Sequence, residues 1–214
     1  MGTILVSAII TSARVTLLDP SPGVTWVDAD FLRFVNTVER NACELRPDLY
    51  TVRGPWAMAA GSIQTLPAGA TVLMDIEENT VSKQRVNLVD LSLVDALNRY
   101  WPAATPELDV QEYGFDPRDR KRIRIIPPNN GSGSLNVLYG ATPPSLAAVG
   151  SAINLDDIHE LAILHGVLAE AYSANTKRQD LGKWQAYRGS FKELLGLSAQ
   201  SSIAAIPTNE GATQ

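Results

Sequence analysis

Cysteine occurs once in this chain of 214 residues, as Cys43, and histidine twice, as His159 and His165. A lone thiol excludes an internal disulfide framework and fits a chain folded in a reducing cytosol, where Cys43, on a helical stretch, is expected to be a buried structural thiol. Basic charge is also scarce. With 18 Lys and Arg against 23 Asp and Glu, the net charge of -5 argues against a general nucleic-acid binder. No apolar run is long enough for a membrane span. The opening MGTILVSAIITSARVTLLD is interrupted by Ser7, Thr11, Ser12 and Arg14 and has no basic leader, so it reads as a helix of a soluble body rather than a signal peptide or anchor.

Catalytic patterns are missing as well. There is no GxxxxGK[ST] phosphate loop, no GxGxxG after a strand and no GxSxG nucleophile elbow. His159-Glu160 starts like HExxH, but Ile163 stands where the second histidine belongs. Six residues at about 100° each leave His159 and His165 roughly 120° apart around a helix, too far for one zinc. His165 is expected to be a hydrogen-bonded core histidine. Asn130-Gly131-Ser132 matches a glycosylation sequon that has no meaning without secretion. No catalytic residue, metal site or cofactor is expected, and a hydrolase has little to be built from.

What the chain does have is helical periodicity at both ends. Residues 154–175 form the organising stretch, with Ile158, Leu161, Ala162, His165, Leu168, Ala169 and Tyr172 on one face and Ile163, Leu164 and Val167 on others. A helix apolar on several sides must be covered on several sides. Asn154 or Asp156 is expected to cap it, with Asp156, Asp157 and Glu160 in its first turn. Near the start, Val6, Ile9, Ile10, Ala13 and Leu17 make one stripe. Phe31, Val35, Val38, Ala42 and Leu45 make another, opened by a Thr25 to Asp28 capping box and stopped at Arg46-Pro47. From about Gln179, Trp184, Tyr187, Phe191, Leu194 and Leu195 make a third, ended by Gly196.

Between these helices, short runs with Gly and Pro punctuation read as strands at 56–60, 71–76, 85–89, 110–115, 122–126 and 134–139, with a short helix near 92–98. Arg122 to Ile125 alternate polar and apolar, and Asn129-Asn130-Gly131-Ser132-Gly133 reads as the turn of a hairpin to Leu135, Val137 and Tyr139. The fold class is therefore α+β, a four-helix-type bundle from the N- and C-terminal helices, an inserted β-rich subdomain and a flexible C-terminal arm. The boundaries read as 1–48 for the first helix pair, 49–150 for the insertion, 151–196 for the closing helical hairpin and 197–214 for the arm. The bundle core is assigned to Phe31, Val35, Val38, Ile158, Leu161, His165, Leu168, Tyr172, Trp184 and Phe191.

Two surfaces stand out. Leu197, Ile203, Ala204, Ala205, Ile206 and Pro207 form a short apolar cluster in a polar tail, suited to becoming ordered on a partner. Arg118, Arg120, Lys121, Arg122 and Arg124 form the basic cluster, readable as a nucleic-acid contact, an interface between subunits, or ordinary edge-strand protection.

The segments ELRPD (44–48), GSIQTLPAGA (61–70), DALNRYWPA (95–103) and above all FDPRDRKRIRIIPP (115–128), together with the helical ends, resemble the head-to-tail adaptors of short-tailed phages, of the connector or tubular tail protein A type. That resemblance implies a structural virion protein at the head-tail junction, made in the host cytoplasm. It implies a ring of about twelve copies between the portal and the tail nozzle protein. Double-stranded DNA would pass through the ring without specific binding, an acidic lumen helping it slide, and no membrane is involved. In such proteins the bundle builds the ring, the C-terminal arm reaches the portal and the β region faces the tail. The alternative is a nucleic-acid-binding module using Arg118 to Arg124.

Overall fold

A computed structural model describes residues 2–116, 118–174 and 176–197. It is of mixed α and β structure, with five helices and two sheets among the described residues. The chain divides into two compact units. One draws on Met1–Tyr50 and on the described residues from Thr142 onward, and the other on Thr51–Ala141.

The first unit is helical: α1 (Val6–Leu17), α2 (Asp28–Leu45), α4 (Glu160–Ser173) and α5 (Leu181–Leu194). Helix α4 packs against the other three, and Ala162, Ile163, Gly166, Val167, Leu168, Ala169, Ala171 and Tyr172 are all buried on it. Small residues allow the close approach. A Cβ on Gly166 would stand 2.5 Å from Val38 Cγ1 and 3.2 Å from the Phe191 ring, so glycine lets α2 and α5 meet α4 at one level. The α1 stripe is buried as spaced, and Phe31, Val35, Val38 and Ala42 line α2 from within, whereas Leu45 and Leu194 are exposed.

Several helix ends differ from the sequence reading. Helix α2 starts at Asp28, with Val27 as its cap residue, whose N–H donates to Asp30 Oδ2 at 3.3 Å. Thr25 and Asp28 make no capping box, because the Thr25 N–H turns to Asp19 and the Asp28 carboxylate accepts from Arg14 Nη2 at 2.7 Å. The organising helix also begins late. A 3-10 turn, Asp157–His159, precedes α4, capped by Asp156 Oδ1 accepting the Ile158 N–H at 3.1 Å. Ile158 therefore lies outside the helical phase and is 81% exposed. Leu161, in the uncovered first turn of α4, is 49% exposed, so neither belongs to the core. Asn154 is not a cap either, being buried against α2. Gly196 does end α5. At φ 76 it donates to Glu193 O at 2.8 Å while Leu197 N–H reaches Lys192 O at 3.0 Å, the paired closure that a left-handed residue allows.

The second unit holds β1 (Thr51–Ala57), β2 (Ala60–Thr65), β3 (Ala70–Asn79), β4 (Asn87–Leu88), α3 (Leu91–Leu97), β5 (Glu112–Phe115), β6 (Arg122–Asn130) and β7 (Ser134–Ala141). Its sheets run β1-β7-β3 and β2-β6-β5-β4, and they share one core containing Trp56, Leu73, Ile76, Tyr113, Ile123, Ile125, Leu135 and Val137. The expected β6–β7 hairpin does not form: β6 pairs with β2 and β5, and β7 with β1 and β3. Pro127 and Pro128 donate no ladder hydrogen bonds. Beyond them Asn129 pins the turn, its Oδ1 accepting from Gly131 N at 2.8 Å and Gly133 N at 3.1 Å and its Nδ2 donating to Leu108 O at 2.7 Å. A Cβ on Gly133 would sit 2.2 Å from Asn129 Nδ2. The glycine-rich stretch is thus a fixed corner between sheets.

Candidate functional site

No group of three or more His, Cys, Asp or Glu residues among those described could hold a metal ion. No helix among them is long and apolar enough to cross a membrane. His165 bridges two helices, its Nδ1 lying 2.9 Å from Ser190 Oγ and its ring edge-on to Tyr187, which stacks on Tyr172 at 5.8 Å. Burial holds its pKa below the ordinary value, which favours the uncharged ring. His159 is lowered by burial and by the Arg46 charge. Cys43 is buried, and burial with the charges of Glu39 and Asp48 pushes its thiol up to about 12, which makes it unreactive.

The polar chemistry of the helical unit holds its connections in place. Asp19 is fully enclosed and accepts the N–H groups of Val24, Thr25 and Trp26 at 3.0 to 3.3 Å, fixing the α1–α2 loop. Burial alone would raise its pKa, but those bonds and the Arg178 charge outweigh it and hold the carboxyl below its usual value. Arg178 donates to the carbonyls of Leu17 and Leu18, tying the loop after α4 to the end of α1. Helix α2 grips the returning chain through three side chains. Asn36 both accepts from and donates to the Leu146 backbone, at 2.7 and 3.1 Å, and Arg40 reaches Ser145 Oγ. Glu39, 1% exposed, accepts from the Asn154 backbone and side-chain nitrogens, both at 2.7 Å. Burial raises the Glu39 pKa, against the lowering effect of the Asn154 bonds. The sequence reading passed over Glu39 altogether.

Other exposed features are apolar. Val15, Leu18 and Val24 crowd the end of α1 and its loop, exposed by 71%, 81% and 92%. A groove of about 230 Å³ between α2, α4 and α5 is of mixed character, with Glu44, Glu170, Arg188 and Lys192 beside Val38, Leu45 and Phe191. On the β unit, α3 buries none of its residues, and Leu93, Leu97 and Tyr100 point their apolar surface outward. Trp101 anchors the segment, buried with its Nε1 donating to Asp95 Oδ1 at 2.7 Å.

Of the surfaces expected from sequence, Arg118, Arg120, Lys121, Arg122 and Arg124 are all exposed. Arg122 and Arg124 share the outward face of β6 while Ile123 and Ile125 point into the core. Arg122 pairs with Asp119 at 3.7 Å and Lys121 Nζ donates to Ala70 O. Leu197 packs against the helical core, so it belongs to that body rather than to a free arm. Ile203, Ala204, Ala205, Ile206 and Pro207 lie outside the described residues.

No protein with curated annotation gives a significant match to the chain. A sequence model of the SU10 adaptor protein family matches residues 5–209, nearly the whole chain. The chain belongs to the SU10 adaptor protein family, in agreement with the phage head-to-tail adaptor that its sequence resembles.

Proposed function

We propose that this protein is a structural component of the phage head-to-tail junction, a ring of about twelve copies that joins the portal to the tail nozzle and continues the DNA channel. The match to an adaptor family across residues 5–209 carries this reading. The helices of residues 1–48 and 151–196 act as one four-helix-type bundle that makes lateral contacts, and residues 49–150 act as an inserted β-rich subdomain offering a second interface. Arg118, Arg120, Lys121, Arg122 and Arg124 serve there, towards the tail or a neighbouring subunit. Residues 198–214 are the arm that docks on the portal through Ile203, Ala204, Ala205, Ile206 and Pro207, with Leu197 as the hinge on the bundle side. DNA passes without specific contacts, favoured by a net charge of -5 on every copy. The virion is the site of action, after synthesis in the host cytoplasm.

The test is portal binding by the chain ended after Leu197, which keeps the closing hydrogen bonds of α5. We expect at least about tenfold weaker binding than the full chain shows, and equal binding would remove the arm from the account. The nucleic-acid-binding alternative predicts salt-dependent DNA affinity that falls when Arg122 and Arg124 become Ala. The ion pair of Arg122 with Asp119 and the engagement of Lys121 with a backbone carbonyl count against it.

A further inference from the structure

Asn130 is the last residue of β6 and, alone among the asparagines of the chain, is followed by glycine. That pair can react with itself. With no side chain on Gly131 to block the approach, the Gly131 backbone nitrogen can attack Cγ of the Asn130 carboxamide. A bond from nitrogen to Cγ forms as the bond from Cγ to Nδ2 breaks, and the Gly131 proton ends on the leaving nitrogen, which departs as ammonia. Water then opens the cyclic imide. Cleavage of the new bond gives aspartate, and cleavage of the original peptide bond gives isoaspartate, in which the chain runs through the side chain.

The corner between the sheets both presents and restrains these groups. Asn130 and Gly131 are exposed, and the leaving Nδ2 makes no hydrogen bond among the described residues. Asn130 Oδ1 accepts from Ser132 N at 2.9 Å, a bond that stabilises negative charge growing on this oxygen during attack. The nucleophile is the restrained partner. Its N–H donates to Asn129 Oδ1 at 2.8 Å, and the Asn129 carboxamide is itself fixed, 1% exposed, accepting from Gly133 N at 3.1 Å and donating to Leu108 O at 2.7 Å. The Asn130 backbone is held too, opposite Ala60 on β2 and through its N–H to Glu107 O at 2.9 Å.

We propose that Asn130 is a site of spontaneous deamidation, and that Asn129, by holding the Gly131 N–H, keeps the reaction slow in the folded protein. Release of that hydrogen bond precedes attack, so each opening of the corner exposes the site. Isoaspartate adds a carbon to the backbone where several bonds converge on one side chain, and the corner loses its register. Aspartate, which still offers an oxygen to Ser132 N, keeps it.

The experiment incubates the full chain at mildly alkaline pH, folded and in urea, and follows conversion at Asn130 by peptide mapping, with Asn130→Gln identifying the signal. Conversion should run at least about tenfold faster in urea. Asn129→Ala should speed it about tenfold in the folded protein, the worth of one hydrogen bond. Asn129→Asp loses the donor to Leu108 but keeps an oxygen for the Gly131 N–H, and should react at the parent rate, which separates a guard from general loosening of the corner. Equal rates folded and in urea, an Asn129→Ala chain as slow as the parent, or Asn129→Asp as fast as Asn129→Ala would each overturn the proposal. If Asn129→Ala fails to fold, hydrogen exchange of the parent decides. The Gly131 N–H should then exchange at least about tenfold more slowly than in the unfolded chain, and an unprotected amide would remove the guard.

Discussion

Asp19 and Glu39 are both enclosed carboxylates of the helical unit, yet their surroundings push them in opposite directions. Asp19 is held below its ordinary 3.8, so the stability it contributes is present above that value and lost as pH falls through its folded pKa. Asp19→Asn should cost about 3 kcal/mol near neutrality by urea unfolding, and should flatten the loss of stability towards acid. An unchanged acid limb would contradict the assignment. Glu39 is raised above 4.5, so its contribution is greatest below that value and is lost as pH rises through the folded pKa. Glu39→Gln should remove that decline above the ordinary carboxyl range, whereas Asn154→Ala, which takes away the side-chain donor and leaves the backbone one, should cost about 1–3 kcal/mol. Sequence alone points to neither role. A carboxylate at position 39 of an amphipathic helix looks like solvent-facing charge, and its partner lies 115 residues away.

Helix α1 was readable because its buried residues repeat at a spacing that only a helix brings to one face. Helix α5 was readable down to its Gly196 cap. Strand β2 was not: Gly61-Ser62-Ile63-Gln64 has no apolar alternation, and it holds its place through Gln64, whose amide closes on the backbone of Ala59 at 2.8 Å in both directions. The β6–β7 hairpin was misread for a related reason. Periodicity finds strands, but which strands pair was decided by the Asn129 side chain and two prolines. Gly166 offers a test of packing over propensity. Alanine should favour α4 by about 1 kcal/mol in propensity, yet its methyl meets buried Val38 at 2.5 Å, and such overpacking costs about 1–3 kcal/mol. Gly166→Ala should therefore destabilise, with partial relief in combination with Val38→Ala, and a stabilised single variant would show that the helices shift freely. On α3, serine at Leu93, Leu97 and Tyr100 should change stability by no more than about 0.5 kcal/mol each, while Trp101→Ala should cost about 3–5 kcal/mol. Thermal melts of the four variants separate a surface kept for contact from one needed for folding.

For the whole molecule, composition identified little by itself: one cysteine, two histidines and no phosphate or nucleophile motif point to no particular chemistry. Segments such as FDPRDRKRIRIIPP supplied the positive sign, and the family match over residues 5–209 agrees with it. Exposed apolar side chains occur in both units, at the α1 end in one and along α3 in the other. The most direct test is the mass of the purified full chain in solution, by light scattering or native mass spectrometry, alone and with portal. The account predicts either a closed oligomer of about twelve copies or a monomer that assembles into one on portal. A chain that stays monomeric and unbound in both conditions would contradict it.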